Sequence, residues 1–314
     1  MEKLIVSTSP HIRSNNSTKR IMLDVIIALL PATVAAVVLF GIKALLVVAV
    51  SVASAVVSEF LFNLIAKKEQ TVNDLSAVVT GLILALSLPA KVGLWQCAVG
   101  SVFAIIVVKC LFGGLGCNFA NPAATSRVFL LISFGASVAG GSFTNFADIT
   151  TGATPLESIK LGEDIAKLPS LLDMLIGNRA GALGETCAIA LVVGGVYLIA
   201  RRVIKWQLPV IYIATVFVLS LALSGDFTVA LYEVLGGGLI IAAFFMITDY
   251  VSTPINPVGK MVFALGCGII TVLIRFWGSY PEGVSFAILF MNILSPYIEK
   301  WCARKPLGKG GNEE

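Results

Sequence analysis

From Met22 to Phe40 the chain carries a single charged residue, Asp24, and segments of this kind recur along its whole length. A helix must run about 20 residues to cross a hydrocarbon core of roughly 30 Å. Windows of suitable length and apolarity lie at 22–40, 44–66, 75–90, 94–113, 122–140, 183–200, 208–224, 230–248, 260–278 and 283–302. The window at 75–90 is short and closes on Pro89, which predicts a tilted, broken or partial span. With 57% hydrophobic and 13% charged residues, the chain has too little polar surface to be clothed in water. The expected fold is therefore an all-α membrane protein with about ten transmembrane helices. The first window is too long for a signal peptide and no small-residue cleavage site follows it, so it is read as a retained helix.

Loop charge sets the orientation. With the N-terminus inside, fourteen Lys and Arg residues fall in inner segments, including Lys67, Lys68, Arg201 and Arg202, and six fall in outer ones. The excess places both termini in the cytoplasm. It also accounts for the net charge of +4 without invoking nucleic acid. A cytoplasmic tail (1–21), a five-helix half (22–140), an extracytoplasmic loop (141–182), a second five-helix half (183–302) and a cytoplasmic tail (303–314) follow. An odd number of helices in each half forces the halves into opposite orientations, so a 5+5 repeat would be inverted. Gly81-Leu-Ile-Leu-Ala85 echoes Gly238-Leu-Ile-Ile-Ala242, and Gly100 to Lys109 echoes Gly266 to Arg275.

Six cysteines show no C-x-x-C spacing and read as packing residues, so no metal site is expected. No G-x-G-x-x-G stretch is present, so NAD chemistry is not expected on this chain. Carboxylates in or near the spans are Asp24, Glu59, Glu185, Glu233, Asp249 and Glu282. A charge inside lipid is expensive and marks a functional position by default. Glu59 and Glu233 are the better candidates for ion coupling. Asp249 is a third, although it and Asp24 sit near span ends where solvation is easy. The lone His11 reads as a polar tail contact.

The 141–182 loop contains Asp148-Ile-Thr-Thr-Gly-Ala-Thr154-Pro-Leu156. Gly152 permits close backbone approach, and Pro155 disfavours helix at Thr154. One reading is a helix start, with Thr154 as N-cap and Glu157 completing a capping box. The other comes from resemblance. Asp148 to Thr154 resembles the D-x-x-[ST]-G-A-[ST] signature of flavin transferase substrates, whose last hydroxyl is joined to FMN by a phosphoester.

Further stretches resemble one family, the D subunits of Rnf ion-translocating oxidoreductase complexes and the related B subunits of sodium-translocating NADH:quinone oxidoreductases. These are Ser9-Pro-His-Ile12, Gly113-Gly-Leu-Gly-Cys-Asn118-Phe-Ala-Asn121-Pro-Ala123, Thr248-Asp249-Tyr-Val-Ser252, Arg275, Tyr280-Pro-Glu-Gly283 and Asn292. Tyr250 stands where the family usually has proline. The short N-terminal tail is closer to the Rnf proteins.

The resemblance implies a 5+5 fold like that of urea transporters. It also implies covalent FMN at Thr154, with Asp148, Thr151, Gly152 and Ala153 as recognition sequence, and a noncovalent riboflavin toward the cytoplasm. The chain would be an electron relay in a cell-membrane translocase between ferredoxin and NAD, moving Na⁺ or H⁺, with the A, B, C, E and G subunits of Rnf as partners and a flavin transferase for maturation. Asn118, Asn121 and Ser126 are expected to hydrogen-bond the edge of the FMN ring, although two Asn beside Gly and Pro are equally read as caps and turns. A channel for a small solute such as urea or ammonium, and a membrane scaffold, share the architecture but leave Asp148 to Thr154 unexplained.

Overall fold

A computed structural model describes residues 17–139, 154–162, 168–177, 179–185, 187–280 and 282–303. All regular structure among the described residues is helical. Helix α1 (Thr18–Phe40) starts at Ser17, whose hydroxyl accepts from Arg20 N at 3.3 Å. It turns at Gly41, with φ at +70°, straight into α2 (Ile42–Ile65). These are followed by α3 (Ser76–Leu86), α4 (Leu94–Val102, continuing as a wider π turn through Cys110) and α5 (Pro122–Ser133). After a single helical turn at Gly135–Val138, two short helices follow, α6 (Pro155–Lys160) and α7 (Leu171–Ile176). The second half holds α8 (Ala188–Ala200), α9 (Gln207–Ser224), α10 (Phe227–Leu235), α11 (Leu239–Ile241, continuing as a π turn to Met246), α12 (Pro257–Trp277) and α13 (Val284–Trp301).

Four of these, α1, α2, α9 and α12, are long and apolar enough to cross a membrane. A fifth span results if α10 and α11 are taken together across their 61° bend. Their outward faces carry large apolar side chains such as Leu30, Val34, Val38, Ile65 and Val218. Water would penalise such a surface, and lipid does not, so the chain is a multi-pass membrane protein.

Every window read from the sequence contains a helix, but several helices stop short. At 11 residues, α3 rises only about 16 Å. Its last carbonyls would be orphaned in an apolar interior, which is costly. The segment 179–185 supplies the partners: Leu183 N donates to Leu88 O at 3.0 Å and Gly184 N to Leu86 O at 2.6 Å. The α10–α11 break is made by Gly237 and Gly238, with φ of +61° and +68°, a backbone region other residues enter at a penalty.

Helix polarity defines two faces. Asp24 near the start of α1 accepts from Tyr197 near the end of α8, and Asn256 at the start of α12 donates to Cys302 O beyond α13. This proximal face also holds Lys109 to Asn121 and Thr248 to Tyr250. Thr154, α6, the α10–α11 break and Arg275 lie at the distal face. The 18 helical steps from Pro257 to Arg275 on α12 separate the faces by about 27 Å. Cys97, Cys110 and Cys267 are buried packing residues, and no metal-binding group occurs among the described residues.

Candidate functional site: one hydroxyl and three charge clusters

Thr154 caps α6. Its backbone is extended, with φ −67° and ψ 153°, and Oγ1 accepts from Glu157 N at 3.2 Å. The N-cap half of the capping reading is realised in the structure and fixes where the hydroxyl sits, whereas Glu157 Oε2 is buried without a hydrogen-bond partner among the described residues. Two residues on, Leu156 packs against Gly236 and Gly237: a Cβ added at those positions would meet its side chain at 2.9 and 2.5 Å. The Thr154 segment is thus fastened to the α10–α11 break. Asp148, Thr151, Gly152 and Ala153 lie outside the described residues.

Around that break is a dense group of buried charges. Arg275 Nη1 donates to Glu233 Oε2 at 2.8 Å, and its Nη2 donates to Gly236 O and Gly237 O at 3.1 and 3.4 Å. Arg179 Nη2 donates to Leu235 O at 2.7 Å and to Glu185 O. The carbonyls freed by breaking the helix are taken up by guanidinium groups, whose fixed fork suits the task. Arg127 on α5 donates to Ser87 O, to Glu282 and, at 3.4 Å, to Glu185 Oε1. Arg127 and Glu282 line a narrow crevice with Gly237, Gly238 and Phe286. Glu282 Oε1 is buried there with no hydrogen-bond partner among the described residues.

The second cluster lies between α2, α3 and α4. Lys109 Nζ donates to Glu59 Oε1 at 2.8 Å and to Ser76 Oγ at 2.7 Å. Thr71 Oγ1 donates to the same Glu59 oxygen at 2.7 Å, and Asn63 Nδ2 donates to Thr71 Oγ1 at 3.0 Å. The π turn in α4 carries Lys109 inward, where it is 2% exposed against 1% for Glu59. Two charges this deep are stable only as a pair. The third cluster, at the proximal end of α1, contradicts the expectation that Asp24 is easily solvated. Asp24 is buried, accepting from Tyr197 OH at 2.9 Å and Arg201 at 3.4 Å.

Lys109 and Ser76 also line the proximal cavity, with Asn118, Asn121, Asp249 and Tyr250 at its polar edges and Ile21, Phe244 and Phe245 among its apolar walls. Asn121 caps α5, accepting from Ala123 N and Ala124 N at 3.1 Å, and donates to Met246 O at 3.3 Å. Asn118 donates to Ala120 O at 3.1 Å. Asp249 Oδ2 accepts from Ser252 Oγ at 2.9 Å, and burial pushes its carboxyl above the ordinary range against that hydrogen bond. The Tyr250 ring is half exposed, and its hydroxyl donates to Val203 O.

The residues expected to surround one flavin ring are therefore divided. Asn118 and Asn121 are at the proximal face and Thr154 at the distal one. Ser126 is spent in packing, donating to Gly100 O at 2.6 Å with no exposed surface. The ion-coupling candidates divide likewise, Glu59 and Asp249 proximal and Glu233 distal. Sequence reasoning misses the roles of Lys109 and Arg127, which sit near span ends, and gives Arg179 and Arg275 no partner. The echo of Gly100–Lys109 in Gly266–Arg275 is the available signal, since it puts both cations at one register.

The model of the NQR2, RnfD, RnfE family matches residues 5–308. The D subunit of the Na⁺-translocating ferredoxin:NAD⁺ oxidoreductase complex of Acetobacterium woodii is 45% identical over 307 residues, covering 97% of this chain and 95% of the relative. The D subunit of the proton-translocating ferredoxin:NAD⁺ oxidoreductase complex of Clostridium ljungdahlii is 40% identical over 310 residues, covering 94% and 93%. The D subunit of an ion-translocating oxidoreductase complex of Stutzerimonas stutzeri is 37% identical over 332 residues, covering 94% and 93%.

Proposed function

The chain belongs to the NQR2, RnfD, RnfE family, and from that membership we propose that it is the D subunit of an Rnf-type translocase, relaying electrons through FMN held at Thr154 by a phosphoester. The observation that carries the assignment is the end-to-end likeness to D subunits of ferredoxin:NAD⁺ oxidoreductase complexes. A solute channel or scaffold would not need it. The relatives named for Na⁺ and for protons match over the same length, so the shared fold does not by itself fix the ion.

Flavin supplies one- and two-electron redox chemistry, and the protein supplies attachment, orientation and charge. Thr154, buried at 5% exposure, holds its hydroxyl at the start of α6, and the buried, unpartnered Glu282 Oε1 beside Arg127 marks a polar crevice close to the same break. Those features fit a flavin joined at Thr154 and turned inward. The proximal cavity, with apolar walls and a few polar edges, suits a second, noncovalent riboflavin. Asn118 and Asn121 are assigned to that second flavin, because they line its cavity and not the Thr154 end.

In this reading the chain has ten spans in two inverted five-helix halves, related in architecture to urea transporters. Both termini are cytoplasmic and Thr154 is extracytoplasmic, so electrons from cytoplasmic donors cross the membrane to reach it. The A, B, C, E and G subunits of Rnf surround it, and a flavin transferase installs the FMN. Glu59, Glu233 and Asp249 remain the ion-coupling candidates. The test is expression with a flavin transferase, denaturing electrophoresis and ultraviolet illumination. A fluorescent band that Thr154→Ala abolishes is expected. A dark wild-type band, or fluorescence that survives the substitution, overturns the attachment.

A further inference from the structure

Among the described residues of the distal group, Arg127 is the cation that reaches three separate parts of the fold. It joins the end of α3 through Ser87 O, the 179–185 segment through Glu185, and the approach to α13 through Glu282. Two carboxylates face one guanidinium there, at side-chain exposures of 3% for Glu185 and 16% for Glu282. Arg179 is bound to the backbone carbonyls of Glu185 and Leu235, and Arg275 has its own carboxylate in Glu233. Arg179 is also an electrostatic neighbour of both carboxylates, so Arg127, Arg179, Glu185 and Glu282 balance in charge, yet Glu282 keeps one buried oxygen, Oε1, without a partner among the described residues. A purely structural lock would not call for that unpaired oxygen, since buried polar groups are as a rule hydrogen-bonded and replacing buried ions with apolar groups is often neutral or stabilising.

The position of the set adds to this. Leu156, two residues past Thr154, seats on Gly236 and Gly237. Gly237 and Gly238 are in turn walls of the crevice that holds Arg127 and Glu282. A Cβ at Gly238 would meet Glu185 Oε1 at 2.8 Å, and one at Gly237 would meet Arg275 Nη2 at 2.7 Å. The glycines keep the charged groups and the α6 segment in contact through bare backbone. Thr154 is thus linked through Leu156 and Gly237 to a crevice whose Glu282 Oε1 has no partner among the described residues.

We infer that Arg127 and Glu282 are a matched pair of fixed charges that sets the reduction potential of the flavin carried at Thr154, Arg127 raising it and Glu282 lowering it. The inference rests on the attachment proposed above. Each electron added to the ring brings negative charge with it unless a proton follows. A nearby cation stabilises that charge and a nearby carboxylate opposes it, strongly so where the effective dielectric is low. Both residues act through the field, as positioning charges, with no bond to the ring required.

The two charges predict opposite signs, and that separates the idea from a structural role. The holoprotein, made with flavin transferase, is titrated spectroelectrochemically, and the covalent flavin is taken as the signal absent from Thr154→Ala. Glu282→Gln is expected to shift the midpoint to more positive values and Arg127→Gln to more negative ones. Should Arg127→Gln fail to fold, Glu282→Gln decides alone, since it removes charge while keeping shape and leaves Arg127 with Glu185. A fluorescent band with an unchanged or negatively shifted midpoint in Glu282→Gln overturns the inference and leaves the attachment standing. A dark wild-type band overturns both.

Discussion

Lys109 Nζ and Glu59 Oε1 stand 2.8 Å apart, 50 residues distant in sequence and almost wholly out of contact with solvent. Removing the lysine leaves a buried carboxylate with only Thr71 to hydrogen-bond it, and breaking such a pair costs about 3–5 kcal/mol. Lys109→Met is expected to lower the thermal unfolding midpoint in detergent markedly. Adding Glu59→Gln should restore most of the loss, because the uncompensated charge is then gone. Scanning fluorimetry of the two variants decides this. A single variant as stable as the wild type would refute the pairing argument, as would a double variant no better than the single.

Thr154 is the cap of α6 and the proposed attachment point, and the two roles can be separated. Loss of an N-cap hydroxyl costs about 1 kcal/mol, and α6 is a short helix beside the bundle. Thr154→Ala is therefore expected to abolish in-gel fluorescence with little change in unfolding temperature. Thr154→Ser keeps the oxygen and should keep both properties. If Thr154→Ala destabilises the protein as much as Lys109→Met does, the dark band would report misfolding and not lost attachment.

The contact between α1 and α8 depends on Gly194. A Cβ there would collide with Ala28 O, which is backbone and cannot swing aside, and one at Gly195 would collide with the Phe244 ring. Overpacking of a tight interior typically costs about 1–3 kcal/mol. Gly194→Ala should lower the yield of folded protein and its unfolding temperature. Gly135→Ala, where nothing lies within 4 Å, should do neither. Equal behaviour of the two substitutions in size-exclusion profiles would remove α8 from its place against α1.

How much of this is legible in the sequence differs from element to element. Helix positions are, because span length and hydropathy are local: α1, α2, α9 and α12 begin and end within a few residues of the apolar windows. The shortness of α3 is signalled by Pro89, and the α10–α11 break by the run Gly236-Gly-Gly238, although hydropathy alone reads 230–248 as one continuous window. Pairings are not legible. Glu59 with Lys109 and Glu233 with Arg275 lie 50 and 42 residues apart, and nothing local couples them. Asp24 reads as solvated from its place near a span end, and only packing against Tyr197 reveals it as buried. Ser126 falls beside a motif but faces Gly100, a matter of helix rotation that a motif does not encode.

The division of the expected ring-binding residues between two faces gives the last prediction. Asn118 and Asn121 line the proximal cavity, whereas Thr154 is fastened at the distal end of the bundle. A joint Asn118→Ala, Asn121→Ala variant should therefore lose noncovalent flavin while its gel band stays fluorescent. Asn121 also caps α5 and ties it to Met246 O, so some destabilisation is expected, on the order of 1–2 kcal/mol. Asn121→Asp is the control, since it keeps a capping oxygen while changing the cavity edge. Flavin released by acid precipitation is quantified by chromatography against the covalent flavin left in the pellet. A fall in covalent flavin with the noncovalent fraction unchanged would place the two asparagines back beside Thr154 and reverse the assignment. A fall in the noncovalent fraction alone, in both the Ala pair and Asn121→Asp, is the outcome the separation of the two faces requires.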